Sequence, residues 1–213
     1  MVKRILAGQF QGHLVSDFYG GSNVYAGKHQ RCWVHLLRDL HDLRKRHALP
    51  EGTVIPVQAE PGEDQAVAVH RWCQAVRSPY DQAQEWLHEH PEATQAEREA
   101  YYVQCTTQSH ELGLAYAQAK EHPCRALSQR LLRHEDERFP FVLVDGLNAD
   151  NNQAERSIRP LVVIRNISGG SRSAAGTKTR MGLASLFETW LARGLNAFQE
   201  CLRALGAPAP NPS

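Results

Sequence analysis

Apolar positions recur along this chain in two rhythms. From Gly12 to Tyr19 they crowd a run too short for a helix, and Gly20, Gly21, Ser22 and Asn23 close it, so the pattern predicts a short buried strand with Asp17 at its carboxyl end, then a turn. A second extended piece is predicted near His29 to Cys32. The period then changes. Trp33, Leu36, Leu37, Leu40 and Leu43 recur at helical spacing, which predicts a helix from Trp33 to His47 whose crowded basic last turn suits the negative end of the helix dipole.

Three prolines and two glycines between residues 50 and 62 predict a linker. From Glu63 to about Arg138 the chain is helix-forming almost throughout, with apolar sets at Val69, Trp72, Cys73 and Val76 and at Ala83, Trp86 and Leu87 separated by Ser78-Pro79, and a further break at His90-Pro91. This stretch reads as an all-helical insertion. Its histidines (His70, His88, His90, His110, His122, His134) show no repeated ligand spacing and read as solvated surface residues. Phe141 to Val144 fits a strand or a last helical turn equally well. Asp150, Asn151 or Asn152 can cap a helix carrying Glu155, Ile158 and Leu161, which Pro160 is expected to kink or end. A glycine, serine and arginine loop is expected from Ser168 to Gly176, then a helix from Lys178 to Arg193, a break at Gly194 and a last helix from Asn196. Pro208, Pro210 and Pro212 predict a frayed tail.

Composition narrows the class without changing this picture. At 213 residues, 42% hydrophobic and 22% charged, the chain has the makeup of a soluble globular protein and not of a disordered or collagenous one. No window approaches the roughly 20 apolar residues of a membrane span, and the start lacks a signal-peptide core, so no membrane partner and a cytoplasmic location are expected. Five cysteines without a C-x-x-C pair read as reduced thiols. The net charge of +1 hides a partition: residues 1–50 hold 8 basic and 3 acidic side chains, residues 51–140 hold 8 and 15, and residues 141–213 hold 8 and 5. Two basic ends flank an acidic middle, which suits a polyanion at the ends or, equally, solvated helix faces.

Two features carry candidate chemistry. Arg156, Arg159, Arg165, Arg172, Lys178 and Arg180 surround a Gly/Ser loop in a span whose only acid is Glu155, a pattern that fits contacts to a nucleic-acid backbone. The plainer reading is a basic cluster paired with the acidic middle, and for Glu155 an ion pair with Arg159 one turn on. Asp17 at a strand end and Glu155 on a helix are also the kind of distant carboxylates that serve as hard oxygen ligands for Mg²⁺ or Mn²⁺.

The strings V-S-D-F-Y (15–19), Q-R-C-W-V-H-L-L-R-D-L (30–40), N-N-Q-A-E-R-S-I-R-P (151–160) and S-G-G-S-R-S (168–173) closely resemble the transposases of the insertion sequence 66 family over nearly the whole chain. The resemblance implies an α/β, helix-dominated fold: an incomplete ribonuclease H-like core, an all-helical insertion and C-terminal helices. It also implies a DDE acidic triad in which Asp17 is the second acid and Glu155 the third, acting on DNA with Mg²⁺ or Mn²⁺ by phosphodiester cleavage and strand transfer. Expected boundaries are 1–47 and 141–180 for the two parts of the core, 48–140 for the insertion and 181–213 for the C-terminal segment. Cys32 and His35 match a C-x-x-H motif of related DDE families; two ligands cannot complete a zinc site, so they are expected, with Asn152, to support the site instead. Asn166 stands where the family pattern has lysine.

The first acid of the triad, and the strand that would carry it, do not fit in the sixteen residues before Asp17. The chain is therefore expected to be the carboxyl-terminal part of a transposase, inactive alone, with insertion-sequence DNA and another copy or an intact transposase as partners. The alternative is a non-catalytic DNA-binding or oligomerisation fragment that modulates an intact transposase.

Overall fold

The computed structural model describes residues 10–206, and the chain divides between Asn151 and Asn152 into two compact units. In the first unit β1 (Leu14–Ser16) pairs in parallel with β2 (His29–Arg31), with Val15 opposite Gln30 and Ser16 opposite Arg31. Parallel neighbours need a crossover. Here residues 17–28 supply it, with a 3₁₀ turn at Gly20–Val24. Asp17 stands directly after β1, at the carboxyl end where the alternation of the chain puts it.

Helix α1 (Trp33–Arg46) buries Trp33, Leu36, Leu40 and Leu43, the stripe that its spacing predicts. After the linker come α2 (Gln65–Glu89), α3 (Gln95–Ala117) and α4 (Arg125–Arg133), then a 3₁₀ turn at Glu135–Glu137 and the short α5 (Pro140–Leu143). Caps set two of the starts: Asp64 accepts from the Ala66 amide at 2.7 Å, and Thr94 and Glu97 form a reciprocal capping box. Phe141 to Leu143, ambiguous in sequence, is helical.

One core serves all of these elements. Trp33 stacks on Tyr80 of α2 at 4.9 Å and packs against Phe139 at 5.1 Å, while Leu36, Leu40 and Leu43 join Val69, Trp72, Val76, Leu127 and Leu131. The helices of 65–133 thus share their apolar interior with α1, and the linker is a break in chain course rather than in packing.

Three sequence expectations change. Pro79 does not separate two helices: it lies buried inside α2, where it removes a backbone donor at a cost of about 3 kcal/mol. The flanking Val76, Tyr80 and Ala83 all pack into the core, and their burial holds the helix together across it. His70 and His134 are buried, not solvated. His70 Nε2 bonds the carbonyl of His47 at 2.9 Å and lies 3.2 Å from that of Arg44, closing the end of α1.

The second unit is built from α6 (Asn152–Ser168), α7 (Ala174–Ala192) and α8 (Ala197–Gly206). Pro160 neither ends nor interrupts α6, which runs on to Ser168. Gly194 takes φ +70°, a left-handed break before Asn196 caps α8 through Oδ1 to the amides of Phe198 and Gln199. No residue of α7 or α8 is buried. The proline tail lies outside the described residues.

Gly113 marks a close approach of α3 to α4: a Cβ there would stand 2.7 Å from Leu132 Cδ2 and 3.3 Å from the Ser128 carbonyl oxygen. Gly113→Ala should cost about 1–2 kcal/mol after the helix-propensity gain, a fall of roughly 2–8 °C in the melting midpoint. Thermal unfolding followed by circular dichroism measures it, and an unchanged or raised midpoint would show that the two helices have room to part.

Candidate metal and nucleic-acid site

Asp17 is held by its own turn and by a buried cation. Its Oδ1 accepts the Tyr19 amide at 3.0 Å, an Asx turn that fixes the carboxylate at the end of β1. Its carbonyl oxygen accepts from Arg31 Nη1 at 3.0 Å. Arg31 is 2% exposed and spends its guanidinium on every side: Nη1 also donates to Ser22 Oγ at 2.8 Å and Ser16 Oγ at 3.2 Å, Nη2 to Asn23 Oδ1 at 2.7 Å and Nε to Glu137 Oε2 at 2.5 Å. One side chain thereby ties the end of β1, the crossover turn and the 3₁₀ turn at 135–137. A buried charge is tolerated only when it is paired and fully hydrogen-bonded, and Arg31 meets both conditions.

Cys32 occupies the next position and is fully buried. Its amide donates to the Ser16 carbonyl at 2.8 Å, its Sγ accepts the Asn151 amide at 3.4 Å, and the Trp33 amide donates to the Ala149 carbonyl at 3.0 Å. Residues 32 and 33 therefore fasten both the peptide just before Asp17 and the segment that ends four residues before Glu155. His35 sits half-buried in the first turn of α1. Cys32 is placed as a packing and anchoring residue.

Glu155, half-buried on the first turn of α6, and Asn152, the first residue of that helix, belong to the second unit, whereas Asp17, Cys32 and His35 belong to the first. Both carboxylates are hard oxygen donors of the kind that suits Mg²⁺ or Mn²⁺. Among the described residues no group of three or more His, Cys, Asp or Glu side chains gathers to hold an ion, and Asp17 is the first acidic residue in the sequence. The donors fit in kind, and these residues bring no third acid.

The cations divide between helix and turn. Arg156, Arg159 and Arg165 are exposed on α6, Arg172 is exposed in the turn, Lys178 is exposed on α7, and Arg180 is half-buried there. Arg165 and Arg180 line one groove of about 550 Å³ together with Gly169, Gly170 and Ser171. Ser173 caps α7, its Oγ accepting the Gly176 amide at 3.0 Å.

Residues 1–179 match the family model described as Transposase IS66 family. The chain belongs to the IS66 transposase family. The match covers both acids, the C-x-x-H pair and all the cations above except Arg180. No curated protein and no solved structure matches the chain significantly. No helix among the described residues is long and apolar enough to cross a membrane.

Sequence reasoning assigned no role to Arg31, which holds the Asp17 turn, to Glu137, which holds Arg31, or to the neighbouring Gln30, which fastens β2 to residues 138 and 141. The signal was an extended piece made wholly of polar residues, His29 to Arg31, directly before an apolar helix, where a strand would normally present apolar side chains to the core. The titration of Glu137 is readable. Burial alone would raise the Glu137 carboxyl, but hydrogen bonds and charge from Arg31 and His134 outweigh it and hold the carboxyl below its usual range. Burial lowers His134, more than its 2.8 Å bond to Glu137 raises it. Both shifts mean that the unfolded chain takes up protons first, so stability falls as pH drops below about 6.5, the ordinary histidine value, through His134, and again below the ordinary carboxylate range through Glu137. His134→Gln should flatten the dependence of the melting midpoint between pH 7 and pH 5, and an unaltered slope in melts across that window would refute the assignment. The slope will not vanish, because burial also lowers His122 and His13.

Proposed function

We propose that this IS66-family chain acts in DNA transposition, with Asp17 and Glu155 as acids of its reaction centre and the cations from Arg156 to Arg180 as its grip on the DNA backbone. The observation that carries this reading is the family match spanning both acids together with the way the chain is fixed around Asp17. The parallel pair β1 and β2, with an acid at the carboxyl end of β1, is compatible with part of a ribonuclease H-like core. Mg²⁺ or Mn²⁺ bound by such acids would polarise the scissile phosphodiester and favour a water or a DNA 3′-hydroxyl as nucleophile. Arg31 keeps the Asp17 turn in one conformation, and Cys32 and Trp33 anchor the segments that lead to Asp17 and towards Glu155. The chain works in the cytoplasm on insertion-sequence ends and target DNA, with another copy or an intact transposase as partner.

Exposed arginines on α6 and in the glycine turn touch phosphates, which carry no sequence information. Replacing Arg156, Arg159 and Arg172 singly by Gln should therefore weaken binding to insertion-end and unrelated duplexes by a similar factor. Each should also lower the slope of log K against log salt by about 0.9. Glu155→Gln should leave affinity unchanged or tighten it, because it removes repulsion from phosphate, and in a transposition assay in which this chain is required beside its partner transposase Glu155→Gln and Asp17→Asn should both stop movement. Anisotropy titrations at several salt concentrations read the first part. Unchanged slopes in all three arginine variants would mean that these cations serve pairing within the protein, and undiminished transposition with Asp17→Asn would remove that residue from the reaction centre.

A further inference from the structure

The six cations are not equivalent in position. Two of them line one groove: Arg165 with Val162 from α6, and Arg180 with Met181 from α7, with Gly170 and Ser171 of the turn between the helices. Among the described residues that line the groove none is acidic. Two cations lining one groove beside apolar side chains favour an anionic occupant. Gly170, at φ +89°, gives the turn a left-handed backbone that favours glycine, next to the Arg165 stem. A planar guanidinium fork matches a phosphate bidentately, and two forks from opposite walls can share one tetrahedral group. The apolar side of the groove suits the deoxyribose that flanks a phosphate.

We propose that this groove seats a single DNA phosphodiester, gripped jointly by Arg165 and Arg180, while Arg156, Arg159 and Arg172 meet separate phosphates along the backbone. The proposal rests on the DNA-binding reading above and sharpens it: one phosphate neutralised by two cations releases the counterions of one contact, not two.

The test is the salt dependence of duplex binding by the full chain. Arg165→Gln with Arg180→Gln should lower the slope by about 0.9, the value of one contact, whereas Arg156→Gln with Arg159→Gln should lower it by about 1.8. A fall near 1.8 in the groove pair would overturn the shared seat and leave DNA binding standing. An unchanged slope in the groove pair beside a fall in the control pair would also overturn it, because the groove would then be off the DNA. Unchanged slopes in both pairs would remove the DNA-binding reading itself. Should the double variant misfold, amide shifts of the wild-type chain decide: added duplex should move the signals of Gly169, Gly170 and Ser171, and inorganic phosphate at equal concentration should move them far less. If inorganic phosphate moves them and duplex does not, the groove holds a free anion and the proposal fails.

Discussion

The first unit depends on two neighbouring polar side chains that are shut away from water. Gln30 and Arg31 are 0% and 2% exposed, and a buried amide or guanidinium without partners costs several kcal/mol, so the chain must bring polar groups to them. It does so from more than a hundred residues away. Gln30 Nε2 donates to the Arg138 carbonyl at 2.9 Å, Gln30 Oε1 accepts the Phe141 amide at 2.9 Å, and the Trp33 indole donates to that same Arg138 carbonyl at 2.7 Å. With Arg31 on Glu137, these bonds set where the returning chain lies against β2. Hydrophobic packing around Trp33 and Phe139 supplies adhesion, but apolar contacts tolerate sliding, whereas a satisfied buried network accepts one register.

That network accounts for a second buried cation. Arg138, 1% exposed, offers its carbonyl to Gln30 and Trp33 and turns its own guanidinium inward, donating to the Leu131 carbonyl and to Ser109 Oγ at 2.6 Å. Burial draws its pKa down to about 10, so it remains charged at neutral pH. The carbonyl fixes β2 and the side chain fixes α3 and α4, so one residue couples the small sheet to the helical stretch. Composition alone suggests a separate insertion there. A linker of prolines and glycines records that the chain changes course, and it carries no information on whether the elements on either side bury the same apolar surface.

Local pattern made much of the fold legible. The helix stripe at Trp33, Leu36, Leu40 and Leu43, the strand ending at Ser16 and the left-handed stop at Gly194 each follow from spacing or backbone freedom within a few residues. What was hidden depends on partners far off in sequence. Pro79 and Pro160 carry a local cost that marks a helix end in isolation, and in the case of Pro79 burial on both sides overrides it. His70 and His134 look like surface polar residues until the carbonyls of α1 and the carboxylate of Glu137 are brought to them. For the candidate site the family motifs placed Asp17, Glu155 and the C-x-x-H pair in sequence and contain Arg31 as well, but the partners that hold Arg31 in place, Ser22, Asn23 and Glu137, lie outside those motifs.

The net charge of the chain and the charge that its surface presents to a polyanion are different quantities. Glu63 is bonded to Arg71, Asp81 pairs with Arg77, and Glu137 takes Arg31. A charge with an opposite partner a few ångströms away acts at longer range as a dipole, whose field falls off faster than that of a lone charge. Beyond about 8 Å at physiological salt the remainder is screened. The cations of α6, the glycine turn and α7 stand in a span whose only acid is Glu155, and five of the six are exposed. A nearly neutral chain can thus carry a strongly positive surface. What decides its affinity for a phosphate backbone is which charges are already neutralised within a few ångströms, and a net charge of +1 does not report that.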